Sequence, residues 1–141
     1  MGSEMCIRDR KKALPDCHPN PPVGCVIVKN GQIISKGHTN EPGQHHAEAM
    51  ALANLPDDMD FEHISIFVTL EPCSFHGRTP SCAKSIIKKE IKEIYVGMID
   101  PHPKNNGTGI RMLEEAGAKV EVGVLGKEVE AELEGYLFST L

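Results

Sequence analysis

The chain is poor in aromatic residues, with no tryptophan, two tyrosines and four phenylalanines among its 141 residues. Proteins that bind single-stranded nucleic acid stack the bases on aromatic side chains along a basic groove. The formal net charge is -5 at pH 7, so the chain also lacks a general attraction to phosphate backbones. These two shortages argue against a nucleic acid substrate. A small anionic substrate, which needs only a few local basic residues, stays open.

Long apolar runs are lacking as well. No stretch approaches the roughly 20 uninterrupted apolar residues that a membrane span requires, and the N-terminus has no apolar segment of the signal-peptide kind. The five cysteines have irregular spacings, which makes a poor disulfide framework. We therefore expect some of the cysteines to serve as thiolates in a reducing compartment. The sequence thus predicts a cytoplasmic protein without a membrane segment.

The length and the 40% of apolar residues suit one compact domain with its own core. Residues 1–10 show no apolar period and begin with Met-Gly-Ser, so we expect a disordered leader or the remnant of a fusion there. The remainder, residues 11–141, is predicted to form a single domain.

Strand and helix patterns alternate along this domain. Two β-rich runs flank Asn30-Gly31, a dipeptide typical of hairpin turns. The other predicted elements are, in order, a helix from His45 to just before Pro56, a strand over 64–70, a helix over 82–90, a strand over 94–98, a helix over 109–116, a strand over 119–124 and a helix over 127–137. This order predicts a three-layer α/β/α sandwich with a mixed sheet of about five strands, in which Val68 and Val96 lie on interior strands.

Four residues suited to metal and proton chemistry lie at the ends of these elements. His46 and Glu48 begin a helix, Cys73 follows a strand, and Cys82 opens the next helix. One imidazole and two thiolates suit Zn²⁺, and three protein ligands leave the fourth position for water, as in catalytic zinc sites. Zinc lowers the pKa of bound water to about 7, and a nearby carboxylate can move its proton to a departing amine. The pattern predicts a zinc-dependent deaminase, with His46, Cys73 and Cys82 as ligands and Glu48 as the proton carrier.

His-x-Glu followed by Pro-Cys belongs to the zinc-deaminase signature, but here eight residues separate the two cysteines. The longer spacing occurs together with the segments Asn20-Pro21-Pro22-Val23-Gly24, His46-Ala47-Glu48, Val68-Thr69-Leu70, Glu71-Pro72-Cys73-Ser74, Gly77-Arg78-Thr79-Pro80-Ser81-Cys82 and Asp100-Pro101-His102-Pro103. In these segments the chain resembles the deaminase domain of riboflavin biosynthesis, the diaminohydroxyphosphoribosylaminopyrimidine deaminase, within the cytidine deaminase-like superfamily.

The resemblance implies that the 2-amino group of a phosphoribosylated pyrimidinone is replaced by oxygen. It also implies that Asn20 contacts the pyrimidine and that His38 and Asp100 line the pocket. Arg78 and Thr79 would meet the phosphate, a role that suits the planar, two-pronged guanidinium of arginine. The implied partner is a small pyrimidine nucleotide. Deaminases of this fold often assemble, so the resemblance also allows a homo-oligomer.

Three positions depart from the family's usual pattern. His38 and His46 are eight residues apart, one more than is usual in the family. Phe75 stands where the family commonly has a histidine, with His76 one position later, and His102 replaces a common asparagine. We expect recognition of the base or ribose to differ at these positions.

Three functions stay open from the sequence. The first is deamination of the riboflavin-pathway nucleotide, and the second is deamination of another nucleobase, a nucleoside or a single-stranded nucleic acid. The third is a noncatalytic, zinc-stabilised binding module. Such a module would have a fourth protein ligand in place of water, and it would tolerate replacement of Glu48.

Overall fold

A computed structural model of the chain describes residues 23–39, 46–56, 63–74 and 81–123. The leader predicted at 1–10 and the helix predicted over 127–137 lie outside these residues. Five residues singled out in the sequence also lie outside them: Asn20, Phe75, His76, Arg78 and Thr79.

The described residues form a mixed sheet of five strands in the order β2-β1-β3-β4-β5. The strands are β1 Gly24–Lys29, β2 Gln32–His38, β3 Ile64–Leu70, β4 Glu93–Met98 and β5 Lys119–Val122. Strand β1 pairs antiparallel with β2 and β3, whereas β3 with β4 and β4 with β5 are parallel. The predicted mixed sheet of about five strands is confirmed, and Val68 and Val96 are register partners on two interior strands.

The turn between β1 and β2 explains the hairpin. Asn30 and Gly31 have φ values of 51° and 79°. Two successive residues with positive φ make the tight turn whose twist matches that of the flanking strands, and Asn-Gly adopts it at little cost. The hairpin predicted from this dipeptide is therefore present.

Three helices lie within the described residues: α1 Ala47–Ala53, α2 Cys82–Lys88 and α3 Thr108–Glu115. Each falls where the sequence predicted a helix, although α1 and α2 end earlier than predicted and α3 begins and ends one residue earlier. Asn54 and Lys89 cap these two helices, because their backbone N–H groups bond to carbonyls of the preceding turn. None of the helices in this part of the chain is long and apolar enough to cross a membrane.

The main core lies between one face of the sheet and these three helices. Alternate residues of the strands are buried there, including Cys25, Ile27, Ile66, Val68, Ile94 and Val96, together with Ala47, Ala51, Ala83, Ile86 and Leu113 of the helices. Removing such an Ile or Leu side chain from water stabilises the fold by about 1.5–3 kcal/mol. A second cluster on the opposite face contains Val26 and Val28. Within the described residues, no helix contributes to this second cluster.

Two glycines bring helices close to the strands and loops at the edge of this core. A Cβ at Gly37 of β2 would overlap the carbonyl oxygen of Ala47 in α1, and a Cβ at Gly109 of α3 would overlap that of Pro72. Ala47 lies between His46 and Glu48, and Pro72 precedes Cys73. The missing side chains therefore allow α1 and α3 to approach the segments that carry the candidate site.

Candidate metal centre and active site

His46, Cys73 and Cys82 come together, with their ligand atoms all within 4.8 Å of one another. The Nδ1 atom of His46 lies 3.7 Å from the Sγ atom of Cys73 and 3.4 Å from the Sγ atom of Cys82. A tetrahedral zinc ion with ordinary Zn–S and Zn–N bond lengths separates a nitrogen from a sulfur ligand by about 3.6 Å. The three side chains therefore fit zinc both in donor type and in spacing, with Nδ1 as the imidazole donor.

The start of α1 places His46. This residue is the N-cap of α1, with extended backbone dihedrals of φ -70° and ψ 167°, and its side chain makes no capping hydrogen bond. The chain therefore enters the helix with the imidazole directed toward the cysteines. Glu48, in the first turn, is buried with 4% of its surface exposed.

The start of α2 places both cysteines. Cys82 is its first residue, and its backbone N–H donates to the Sγ atom of Cys73 at 3.2 Å. Ser81, the N-cap, accepts from the N–H of Lys84 and donates through its hydroxyl to the carbonyl oxygen of Cys73 at 2.8 Å. The N–H of Ala83 donates to the same carbonyl at 3.0 Å. These hydrogen bonds hold Cys73, which follows β3, against the start of α2.

The two thiols share negative charge unequally. Hydrogen bonds from Cys82 and His46 lower the pKa of Cys73 to about 4, although burial acts in the opposite direction. The pKa of Cys82 is raised well above its usual value, because its proton is bonded to Cys73 and its surroundings are buried and negative. A second thiolate here requires a cation, as zinc–thiolate chemistry supplies. The hydrogen bond to Cys73 and the charge of Glu48 raise the pKa of His46, against the effect of burial.

Glu48 has the properties of a proton carrier. Burial, followed by the negative charge of Cys73, raises the pKa of its carboxyl to about 7, while His46 acts in the opposite direction. A group with a pKa near the working pH can both accept and return a proton. Strong perturbation of this kind, next to a metal-ligand group, is typical of functional sites.

Two of the predicted substrate-binding residues lie within the described ranges. His38 ends β2 and is partly buried beside α1, where its backbone N–H donates to the sulfur of Met50 at 3.4 Å. Asp100 follows β4, and its carboxylate accepts from the backbone N–H of His102 at 3.0 Å and from the side chain of Asn105 at 3.4 Å. Asn105 also donates to the carbonyl oxygen of Pro72 at 3.3 Å, which connects Asp100 to the residue before Cys73.

Glu71 and Asn105 have no role predicted from the sequence, yet both are almost fully buried, with 3% and 1% of their surface exposed. Glu71 accepts hydrogen bonds from three backbone N–H groups of residues 100–110. One signal was visible in the sequence: an acidic residue directly after the apolar run of β3. A buried charge at such a place needs several hydrogen-bond partners.

The family model for the cytidine and deoxycytidylate deaminase zinc-binding region matches residues 2–98. The riboflavin biosynthesis protein RibD of Actinobacillus pleuropneumoniae is 42% identical over 121 residues, which are 86% of this chain and 32% of that protein. The chain thus spans about a third of the length of this curated relative.

Two solved structures are similar over nearly the whole chain. RibD of Acinetobacter baumannii has a TM-score of 0.90 and 37% identity, covering 98% of this chain and 38% of that one. The diaminohydroxyphosphoribosylaminopyrimidine deaminase/5-amino-6-(5-phosphoribosylamino)uracil reductase of Thermotoga maritima has a TM-score of 0.90 and 37% identity, covering 99% and 41%. These relatives confirm both the resemblance to riboflavin-biosynthesis deaminases and the cytidine deaminase-like fold. The chain belongs to the family of cytidine and deoxycytidylate deaminase zinc-binding regions.

Proposed function

We propose that this chain is the hydrolytic deaminase of a phosphoribosylated diaminopyrimidinone in riboflavin biosynthesis. The observation that carries the proposal is the buried Glu48 carboxyl, with 4% of its surface exposed, beside a His/Cys/Cys group spaced for zinc. The substrate assignment is supported by the relatives that are named as riboflavin biosynthesis proteins. Since the chain spans about a third of those relatives, the proposal concerns the deamination step alone.

In this proposal His46, Cys73 and Cys82 hold the metal ion. Zinc in such a site is a Lewis acid that lets water lose a proton near neutral pH. The hydrogen bonds from the first turn of α2 to the Sγ atom and the carbonyl of Cys73 keep that thiolate in place. They have the role that outer hydrogen bonds usually have around metal ligands, which is to fix the ligand's orientation.

Glu48 moves the protons. Its carboxylate takes a proton from the water whose oxygen forms the new bond to the ring carbon, and passes that proton to the neighbouring ring nitrogen. Glu48 then carries the proton of the new hydroxyl group to the exocyclic amine, and the bond from the carbon to that amine breaks as the carbonyl forms. The products are a carbonyl and ammonia. A positioned acid or base of this type typically contributes 10² to 10⁴ in rate.

The remaining pocket assignments belong to the same proposal. Asn20 contacts the pyrimidine, His38 and Asp100 line the pocket, and Arg78 with Thr79 binds the phosphate. The carboxylate of Asp100 is held by two hydrogen bonds, which suits a group that must meet the substrate in a fixed orientation.

Domain extent and cellular setting are proposed as well. We assign residues 11–141 to one deaminase domain after a leader at 1–10. The five-stranded sheet that the described residues form from Gly24 to Val122 supports one domain. The cytoplasm is the proposed location for this chain, since the three cysteines of the described part are not joined by disulfides, although two plant relatives, from Arabidopsis thaliana and Zea mays, are named as chloroplastic. Self-association is compatible with the proposal.

A noncatalytic zinc module is the alternative from another class. A structural zinc site takes four protein ligands, whereas the metal-ligand group among the described residues has three. The buried Glu48 beside that group also favours catalysis, because a structural site gains nothing from an additional buried carboxyl. Both features support the enzyme.

The test is ammonia release by the zinc-loaded protein from 2,5-diamino-6-ribosylamino-pyrimidinone 5'-phosphate. Cytosine, guanine, adenosine and single-stranded DNA serve as comparison substrates, and Glu48→Gln is the control variant. We expect turnover of the first compound that is lost in the control. Turnover of a comparison substrate alone would contradict the riboflavin-pathway substrate but agree with the deaminase mechanism. Zinc binding without any turnover would contradict the proposal that the chain is an enzyme.

A further inference from the structure

One buried side chain ties the loop after β4 to the end of β3. The Oε1 atom of Glu71 accepts from the backbone N–H of Asp100 at 3.1 Å and from that of Gly107 at 2.9 Å. Its Oε2 atom accepts from the N–H of Ile110 in α3 at 3.0 Å. The N–H of Glu71 itself donates to the carbonyl of Met98 at 3.0 Å. Residues 100–110 are therefore fixed relative to Cys73, which lies two positions beyond Glu71.

Asn105 makes the second connection, and it uses its whole side chain. Its Nδ2 group donates to the carbonyl oxygen of Pro72 at 3.3 Å and to the Oδ2 atom of Asp100 at 3.4 Å. Its Oδ1 atom accepts from the N–H of Gly109 at 3.2 Å. A side-chain amide has two donor hydrogens and one carbonyl acceptor, so this geometry engages each of them.

These contacts orient the carboxylate of Asp100 and leave its oxygens able to accept further hydrogen bonds. Its Oδ1 atom accepts from the N–H of His102 at 3.0 Å, and its Oδ2 atom accepts from Asn105. Each carboxylate oxygen can accept more than one hydrogen bond, and Asp100 is partly exposed. The side chain can therefore still accept from an amino or hydroxyl group of a bound ligand.

We propose that Asn105 is a positioning residue for substrate binding, which orients the Asp100 carboxylate while Glu71 fixes the loop that carries both. The inference rests on the proposed function, in which Asp100 contacts the substrate. Of the three groups that Asn105 contacts, Asp100 is the one assigned to the substrate, so removal of Asn105 should weaken substrate binding and leave the chemistry at Glu48 unchanged.

The kinetic test is a double-mutant cycle on the zinc-loaded protein with the pyrimidine nucleotide as substrate. Losing a hydrogen bond to a charged group typically costs about tenfold in binding, so Asn105→Ala should raise KM about tenfold and leave kcat within about twofold. In an Asp100→Ala background the same change should alter KM by less than about twofold. Equal effects in the two backgrounds would overturn the inference, as would a loss confined to kcat.

A core variant separates positioning from general destabilisation. Ile64→Val removes one buried methyl group at the start of β3, the opposite end of the strand from Cys73. It should lower the melting temperature and leave KM at the parent value. A KM rise in this variant as large as that in Asn105→Ala would overturn the inference.

A second readout needs no turnover and therefore separates the inference from the proposed function. Amide hydrogen exchange is compared between the parent and Asn105→Ala at two backbone N–H groups. The N–H of His102 donates to Asp100, and the N–H of Ile110 donates to Glu71. We expect at least tenfold faster exchange at His102, with protection kept at Ile110. Equal acceleration at both amides would show that Asn105 only holds the loop together, and unchanged exchange at His102 would show that it does not orient Asp100. If the parent protein lacks turnover, the proposed function fails, while this exchange pattern still decides whether Asn105 orients Asp100.

Discussion

Glu48→Gln should remove activity and yet make the metal-free protein more stable at neutral and alkaline pH. Burial raises the pKa of Glu48 to about 7 in the folded protein, from 4.5 for a glutamate exposed to water. Between these two values the folded state holds more protons than the unfolded state, so stability falls as the pH rises. At 1.36 kcal/mol for each pH unit, ionised Glu48 costs the fold roughly 3 kcal/mol above pH 7.

Glutamine has nearly the same shape and cannot ionise, so it avoids this cost. The free energy of unfolding of Glu48→Gln should exceed that of the parent by up to about 3 kcal/mol at pH 8, and the difference should vanish near pH 4.5. The measurement is urea unfolding of both proteins from pH 4.5 to pH 8 with a chelator present. If the parent and Glu48→Gln were equally stable at pH 8, or if the greater stability of Glu48→Gln did not depend on pH, Glu48 would not be a desolvated acid.

Glu71→Gln is the matched control, because Glu71 is equally buried but accepts three backbone N–H groups. The amide of glutamine presents N–H groups where the carboxylate presents acceptors, so at least one buried donor loses its partner. We expect a loss of about 1–3 kcal/mol at pH 8. The same change in two buried carboxylates should therefore act in opposite directions, and a stable Glu71→Gln would contradict the geometry of the loop.

Two further changes test how the site is assembled. Ser81→Ala removes the N-cap of α2 and the hydroxyl bonded to the carbonyl of Cys73, so zinc affinity should fall about 10- to 100-fold in competition with a chelator. Ser85→Ala, which loses only a bond to the carbonyl of Ser81, should keep the parent affinity, and equal losses in the two variants would contradict this reasoning. Gly37→Ala places a methyl group against the backbone of α1, so it should lower the free energy of unfolding by about 1–3 kcal/mol and also reduce kcat, because α1 carries Glu48. A variant with parent stability and activity in urea unfolding and ammonia assays would show that α1 does not depend on this close approach.

Much of the fold followed from local sequence signals. The Asn-Gly turn, the apolar strand of residues 64–70 and the helix starts at His46 and Cys82 all depend on a few neighbouring residues. Because His46 and Glu48 begin one helix and Cys82 begins another, their meeting with Cys73 could be expected once the elements were placed. Helix ends were less well predicted, since capping depends on backbone conformation as much as on residue type.

The contacts of Glu71 and Asn105 could not be predicted in the same way. Their partners are backbone N–H groups and a carbonyl in segments that the sheet brings together only after β3 and β4 pair in parallel. Any residue except proline supplies such an N–H group, so the sequence contains no matching pattern to find. In the sequence, Asn105 is followed by Asn106 and Gly107, a composition that by itself indicates only a turn.

The most direct test of the central claim is a zinc titration of the metal-free protein, followed at once by bound metal and by ammonia release from the pyrimidine nucleotide. We expect activity to rise in proportion to zinc up to one ion per chain, and Glu48→Gln to bind the same amount of zinc without releasing ammonia. Saturation with zinc without ammonia release from the parent protein, or full activity in Glu48→Gln, would contradict this expectation.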